Sequence, residues 1–257
     1  MTLFRPSRAL MRLRRVLGND QLVVSLMALA VGAAVGGAVI GFREAIVVVQ
    51  GVFLGAGGED RLVRAAQALP WWRVLLAPTL GGLLLGLFLR HALRGRRPPG
   101  VAAVIEHAAA DSRMPPRLGL VTALAAVLSI GAGASVGREG PAVHLGATLG
   151  NWLAASLRFG RNLWRSMLAC GVSAAVAASF NAPIAGALFA NEVVVGNYAL
   201  ASFAPVVIAS VTATVVSRQW FGDFPAFTVP AFASGSLAEF PAFALLGIPA
   251  GVAAAVL

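Results

Sequence analysis

Two charged residues, Arg138 and Glu139, stand side by side in the most apolar part of the chain. They belong to the sequence Gly-Arg-Glu-Gly-Pro at 137–141, which separates the apolar runs 118–136 and 142–157. A charge at the centre of a membrane-spanning helix costs about 2.5 to 3.5 kcal/mol on insertion scales, so it usually faces a cavity, a partner or a transported ion. Glu139 is therefore the first candidate for a functional residue.

The residue types around Glu139 favour anion chemistry. Gly140 and Pro141 are typical of a helix start, because proline is favoured at the first helical position. A helix that begins at Pro141 would carry about half a positive charge and several unpaired N–H groups at its N-terminus, which suits a small anion. Ionised Glu139 would occupy that site and would leave it when protonated or displaced. The alternative is a buried Arg138–Glu139 ion pair at a kink, although adjacent helical residues point about 100° apart.

The composition is that of a membrane protein. The chain has 257 residues, 58% hydrophobic and 12% charged, with a mean hydropathy of +0.83. Soluble domains carry about 25% charged residues, so the sequence predicts an all-α protein that crosses the cell membrane several times. Its 20 basic residues are all arginine. They cluster at the ends of apolar segments, where they set topology, and we therefore expect no nucleic-acid partner.

The apolar segments differ in length. A helix needs about 20 apolar residues to cross the bilayer core. Segments near that length are 22–54, 71–93, 118–136 and 200–216. Segments 142–157, 163–180 and 183–195 are bounded by Pro, Gly or Asn and are expected to be too short to cross alone. Short interrupted helices are typical of transporters whose half-helices end near the middle of the membrane.

Arginine placement predicts the orientation. Arginines lie before the first apolar segment and again within 90–97, 113–117 and 158–165. Because cytoplasmic loops are rich in arginine, the N-terminus is expected in the cytoplasm. Residues 1–21 are then a basic cytoplasmic segment, and residues 22–257 are a transmembrane domain. The chain would rise after Arg117 and return at Arg158, which places Glu139 towards the outer half of the membrane.

Two sequence blocks resemble a known family. Residues 137–141, continued by Ala-Val-His-Leu-Gly at 142–146, resemble the most characteristic motif of the CLC family of chloride channels and anion/proton antiporters. Residues 178–189, followed by Glu192, are similar to that family's next block and lie at the expected distance. The likeness covers essentially the whole chain but corresponds to the first of the family's two halves. It implies the CLC-like inverted-repeat architecture with broken and half-spanning helices, first repeat only.

The resemblance also implies functional roles. Glu139 would be the gating glutamate, whose carboxylate competes with the anion and, in antiporters, carries the proton. The transported ion would be chloride or a similar small inorganic anion. The residues implied for the anion site are Arg138, Gly140, Pro141, Ala142, Pro99 and Gly100. The full-length protein would be a homodimer in the lipid bilayer, with one pore in each subunit.

The first filter motif of the family departs from its usual form in this chain. The family pattern Gly-x-Gly-Ile/Val-Pro corresponds to Pro-Pro-Gly-Val-Ala at 98–102. Pro99 stands where serine is common, and proline offers neither a hydroxyl nor an N–H donor to an anion. The choice between chloride, nitrate and another anion is therefore open. The alternative is that Pro98 and Pro99 only break the chain before a short helix.

Glu192 is the candidate for a proton path. In proton-coupled members an acidic residue near the inner end of this helix relays protons and follows another acid. Glu192 matches the first acid and Val193 replaces the second. This substitution leaves both channel-like uniport and anion/proton exchange open. A buried structural carboxylate bonded to nearby backbone is the favoured alternative for Glu192.

The chain stops inside the apolar run 243–257, and the family's second filter motif does not occur in it. We therefore expect a domain truncated in mid-helix. The functions left open are anion transport and, as the alternative, a truncated membrane fragment with no independent transport activity. The sequence shows no metal-ligand pattern, nucleophile elbow or phosphate loop, so no enzyme, cofactor or metal is expected.

Overall fold

A computed structural model describes most of the chain. The described residues are 20–55, 67–94, 98–110, 112–157, 161–196, 200–223 and 239–256. Within these ranges the secondary structure is helical, without strands, which confirms the predicted all-α fold class. Residues 1–19, most of the predicted basic segment, lie outside the described ranges.

The helices follow the apolar segments closely. They are α1 (Asp20–Leu54), α2 (Trp71–Leu93), α3 (Val101–Ala109), α4 (Pro116–Gly131), α5 (Glu139–Ser156), α6 (Arg161–Phe180), α7 (Pro183–Phe189), α8 (Leu200–Phe221) and α9 (Glu239–Val256). A π-helical segment, Ala190–Val195, continues α7 without a break. Among the described residues, three stretches are long and apolar enough to cross a membrane, Gln21–Leu54, Trp71–Leu93 and Leu163–Phe180.

Two predicted lengths are wrong. The segment 163–180 was expected to be too short to cross alone, but α6 begins at Arg161 and has 20 residues. The segment 118–136 was expected to be a near-complete span, but α4 ends at Gly131 and has 16 residues. Gly133 follows with φ of 98°, a left-handed conformation that glycine adopts without steric cost and that a continuing helix cannot contain.

The helices around α5 and α6 form the main core. Buried valine, alanine and methionine side chains from these helices meet those of α1, α3 and α8 in one cluster. Gly146 and Gly150 on α5 face backbone atoms of Gly171 and Met167 on α6, so the two helices run antiparallel in close contact. This packing fixes α5, whose first residue is Glu139.

Helix α8 lies along α1 and α6. Gly32 and Gly36 of α1 face Ala209 and Ala213 of α8, which shows that these two helices run parallel. The small-residue pairs at 32/36 and 146/150 therefore serve helix packing. Two other glycine pairs, 37/41 and 82/86, have the same spacing. A Cβ added to any of these four glycines would have no atom of another described residue within 4 Å.

The chain divides into two compact units, Met1–Phe224 and Pro225–Leu257. The second unit contains α9, whose large apolar side chains are exposed, among them Phe240, Leu245 and Ile248. The first unit contains every candidate site residue. The site is therefore described within this unit alone.

Candidate functional site

The N-terminus of α5 begins at Glu139, two residues before the predicted start at Pro141. Arg138 is the N-cap residue, and the Ala142 N–H donates to the Arg138 carbonyl at 3.1 Å, closing the first turn. Pro141 is consequently the third helical residue. Its missing N–H still costs no hydrogen bond, because the first turn has no intrahelical acceptors for its donors. Glu139 and Gly140 supply the N–H groups that open the helix.

The Glu139 side chain folds back over the residue that precedes the cap. A Cβ added to Gly137 would collide with the Glu139 carboxylate oxygen Oε2. The same Cβ would lie 3.2 Å from the carboxylate carbon Cδ of Glu139. A Cβ built on Gly140 would meet nothing within 4 Å. The two glycines of the motif therefore differ, since only Gly137 leaves the space that the carboxylate fills. The Glu139 side chain is otherwise exposed.

Arg138 connects this helix start to a second break in the chain. Its guanidinium carbon lies 6.0 Å from the centroid of the Phe180 ring, within the range of a cation–π contact. Phe180 is the last residue of α6, and α7 begins three residues later at Pro183. Asn181 makes the turn with φ of 54°, a left-handed conformation that asparagine tolerates. The two sequence blocks singled out by the resemblance thus meet at Arg138 and Phe180.

Serine side chains of α8 hold this second break in place. Ser217 Oγ donates to the Ala178 carbonyl at 3.0 Å, and Ser210 Oγ donates to the Pro183 carbonyl. These acceptors lie on either side of Phe180. Ser210 and Ser217 are buried, so the bonds are protected from competing donors.

The predicted filter segment lies at the start of α3. Gly100 is the N-cap of this helix in an extended conformation, with φ of −108° and ψ of −156°. Pro99 is half-buried and Pro98 is exposed. Helix α3 packs against α5 and against the π-helical segment, and its Val104 and Ala108 join the main core. Pro99 and Gly100 therefore lie just before a helix that contacts α5, whereas Arg138, next to Glu139 at the start of α5, contacts Phe180 at the end of α6.

Glu192 lies in the π-helical segment and is exposed, so its predicted role as a buried structural carboxylate is wrong. The buried polar residue of this segment is its neighbour Asn191, whose Nδ2 donates to the Ala187 carbonyl at 2.9 Å. The wide turn of a π-helix shifts the residues that face inwards, which a 3.6-residue period does not predict. The Arg165 guanidinium donates to the Val195 carbonyl at 3.3 Å and so caps the segment.

His144 is an unusual residue on α5. Its side chain is fully buried, and neither ring nitrogen has a hydrogen-bond partner among the described residues. Its backbone carbonyl accepts from Thr148 Oγ1 at 2.7 Å, as expected one turn along a helix. The described residues contain no group of three or more His, Cys, Asp or Glu side chains that could hold a metal ion.

Sequence reasoning gave no role to Phe180, Asn181 and the α8 serines. Phe180 and Asn181 lie inside the second block, where the sequence shows an asparagine–proline break but not what the break contacts. No pattern in the sequence indicates that Ser210 and Ser217 bond to carbonyls of a different helix, because that depends on the rotation of α8 about its axis.

Comparison with known proteins supports one family. The family model described as "Voltage gated chloride channel" matches residues 75–257. A ClcB-like chloride channel protein of Ralstonia nicotianae is 38% identical over 228 residues, which are 87% of this chain and 53% of that protein. The voltage-gated ClC-type chloride channel ClcB of Escherichia coli is 38% identical over 196 residues, 75% of this chain and 46% of that protein.

Solved structures show the same fold. A CLC-type fluoride/proton antiporter aligns with a TM-score of 0.68 and 26% identity over 90% of this chain and 55% of that chain. A slow cyanobacterial Cl⁻/H⁺ antiporter aligns with a TM-score of 0.70 and 24% identity over 89% of this chain and 54% of that chain. The chain therefore spans about half the length of the relatives that it matches.

Proposed function

Because the chain belongs to the voltage-gated chloride channel family, we propose that Glu139 gates the passage of a small inorganic anion, chloride by preference, through the membrane. The proteins that this chain resembles are a voltage-gated ClC-type chloride channel, a CLC-type fluoride/proton antiporter and a Cl⁻/H⁺ antiporter. The proposal for this chain assigns the gate to one carboxylate. Arg138, Gly140, Pro141 and Ala142 are proposed to form the anion side of the gate.

The observation that carries the proposal is the position of the Glu139 carboxylate. It belongs to the first residue of α5 and folds back beyond the N-cap, into the space left by Gly137. A helix N-terminus offers unpaired N–H groups and about half a positive charge, and an anion and a carboxylate are alternative ligands for it. Protonation removes the negative charge of the carboxylate, and an anion can then replace it.

Arg138 supports the same role by charge. It is the N-cap residue of α5 and lies next to Phe180, so its positive charge is at the helix start. A cation beside the helix start stabilises a nearby anion more strongly inside a membrane protein than in water, because the effective dielectric constant is lower. We propose that Pro99 and Gly100, at the start of α3, form a further part of the anion path. Proline at 99 removes one hydroxyl donor and so relaxes selectivity between chloride and nitrate.

The transport mode is the second part of the proposal. Glu192 carries an ionisable carboxylate that is not buried by the described residues, and it is proposed as the residue of a proton path, whereas Val193 has no titratable group. Uniport and anion/proton exchange are distinguished by whether a chloride gradient drives protons uphill in liposomes. Movement of protons that depends on Glu192 supports exchange, and passive chloride flux alone supports uniport. We further propose a homodimer, a multi-pass location in the cell membrane and a cytoplasmic N-terminus.

The test of the gate uses protein translated from its natural coding sequence, reconstituted into liposomes. Chloride efflux is measured at acidic and at neutral pH for the parent and for Glu139→Gln. The parent is expected to be faster at acidic pH, and Glu139→Gln is expected to be fast at both, because glutamine resembles the protonated gate. The matched control is Glu106→Gln on α3, an exposed carboxylate that should leave the pH dependence unchanged.

Equal pH dependence in the parent and in Glu139→Gln would reject the gate. Absence of any chloride flux in both the parent and Glu139→Gln would instead favour the alternative of a membrane fragment with no transport activity of its own. The two results differ, because in the first case the liposomes conduct chloride and in the second they do not.

A further inference from the structure

The end of α8 contacts the turn between α6 and α7 through a charged side chain. Arg218 Nε donates to Asn181 Oδ1 at 2.7 Å, and Arg218 Nη1 lies 3.0 Å from Asp223 Oδ1. Asp223 thus orients a guanidinium whose other edge is bonded to the turn. The planar guanidinium can hold both partners in a fixed geometry, which an ammonium group cannot do.

The turn that Arg218 contacts is conformationally demanding. Asn181 has φ of 54°, and non-glycine residues seldom adopt this region without support from neighbouring contacts. The Asn181 side-chain amide oxygen is the acceptor for Arg218, so the bond acts on the residue that sets the direction of the chain. Ser217 and Ser210 fix the carbonyls before and after the turn, which leaves Phe180 with little freedom.

Phe180 transmits this restraint to the gate segment. Its ring is the aromatic partner of Arg138, at 6.0 Å from the guanidinium carbon to the ring centroid. Arg138 is the N-cap residue of the helix that begins with Glu139. A contiguous series of contacts therefore runs from Arg218 through Asn181 and Phe180 to Arg138.

We infer that Arg218 is a positioning residue for the gate, holding the Asn181 turn so that Phe180 fixes the Arg138–Glu139 segment. This inference rests on the proposed function of Glu139. If the restraint is removed, the Arg138–Glu139 segment moves more freely and the carboxylate stays in front of the helix N-terminus for less of the time. Chloride flux at neutral pH then rises, and the ratio of the flux at acidic pH to the flux at neutral pH falls towards one.

The experiment measures this acid-to-neutral flux ratio in liposomes for four variants. Arg218→Met removes the hydrogen-bond donor and the charge. Asn181→Gly removes the hydrogen-bond acceptor, and glycine adopts the left-handed backbone conformation of the turn without strain. Each is expected to lower the ratio about threefold to tenfold, the range for loss of a partly exposed charged hydrogen bond. Arg218→Lys keeps the charge but cannot hold both partners at once, so its ratio should stay closer to that of Arg218→Met than to that of the parent. Arg90→Met on the exposed face of α2 is the control and should have no effect.

Two comparisons separate positioning from a general structural role. The double variant of Arg218→Met and Asn181→Gly should have the same ratio as either single variant, because both break one bond. In the Glu139→Gln background, Arg218→Met should leave the ratio unchanged, since no carboxylate remains to be positioned. A fall in flux by the same factor at both pH values, or an effect that persists in Glu139→Gln, would overturn the inference.

Failure of the proposed function gives a different result. If Glu139→Gln by itself leaves the pH dependence of the parent intact, the gate is wrong and the positioning role falls with it. If Glu139→Gln removes the pH dependence but Arg218→Met and Asn181→Gly both behave as the parent, the gate stands and only the positioning role is rejected. Asn181→Gly retains the backbone of the turn, so it remains informative if Arg218→Met does not fold.

Discussion

Substitution of Gly171 by alanine should loosen the helix pair that holds Glu139. Gly171 lies on α6 where its backbone is in close contact with α5. A Cβ built there would collide with the Gly146 carbonyl oxygen, and would lie 2.8 Å from the Gly146 carbonyl carbon and 3.3 Å from the Gly150 nitrogen. All three are backbone atoms, so no side-chain rotation relieves the contact and the helices must separate.

The expected size follows from two opposing effects. Overpacking in a well-packed core costs about 1 to 3 kcal/mol, and contacts with backbone favour the upper end of this range. Alanine gains about 0.5 to 1 kcal/mol over glycine within a helix. Gly171→Ala should therefore lose about 2 kcal/mol in its free energy of unfolding. Gly82→Ala, where a Cβ meets nothing within 4 Å, should show only the gain. The two variants should differ by about 3 kcal/mol.

The assay is equilibrium unfolding of the purified protein, transferred from a mild detergent into increasing fractions of dodecyl sulfate and followed by tryptophan fluorescence. Parent, Gly171→Ala and Gly82→Ala are compared under the same conditions. Equal free energies of unfolding for the two variants would refute the reasoning, because they would show that α5 and α6 are not in backbone contact at Gly171. A stabilised Gly171→Ala would refute it more strongly.

Two further substitutions test the site itself. Gly137→Ala places a Cβ where the Glu139 carboxylate lies and should shift the pH dependence of chloride flux, whereas Gly82→Ala on α2 has open space outside the site and should leave it unchanged; equal effects would contradict the described carboxylate position. His144→Leu replaces a buried ring without hydrogen-bond partners among the described residues, so the free energy of unfolding should fall by less than about 1 kcal/mol or rise. A loss above about 2 kcal/mol on chemical unfolding would show that the ring is bonded.

Much of the fold follows from apolar length and from helix-breaking residues. The segment 71–93 has the same bounds in the sequence and in the structure, because Pro70 precedes it and an arginine cluster follows it. The family and its fold could likewise be predicted, since the motif at 137–141 needs specific residue types at fixed positions. Glu139 is singled out in the sequence by its charge in apolar surroundings and by the family motif, and its role as a gate stays a prediction.

The errors concern features that depend on tertiary contacts. Pro141 was expected to begin α5, but proline is tolerated anywhere in the first turn, and the helix begins two residues earlier. Glu192 was expected to be buried, but the π-helical turn exposes it and buries Asn191 instead. The partner of Arg138 could not be predicted, because Phe180 is distant in sequence and only the packing of α5 on α6 brings it near.

The most direct test of the gate is the affinity of the protein for chloride at acidic and neutral pH, measured by titration calorimetry for the parent and for Glu139→Gln. If the carboxylate and chloride compete for the N-terminus of α5, the parent binds chloride more tightly at acidic pH, and Glu139→Gln binds it equally well at both pH values. Chloride affinity that changes with pH in the same way in the parent and in Glu139→Gln would contradict the competition on which the account depends.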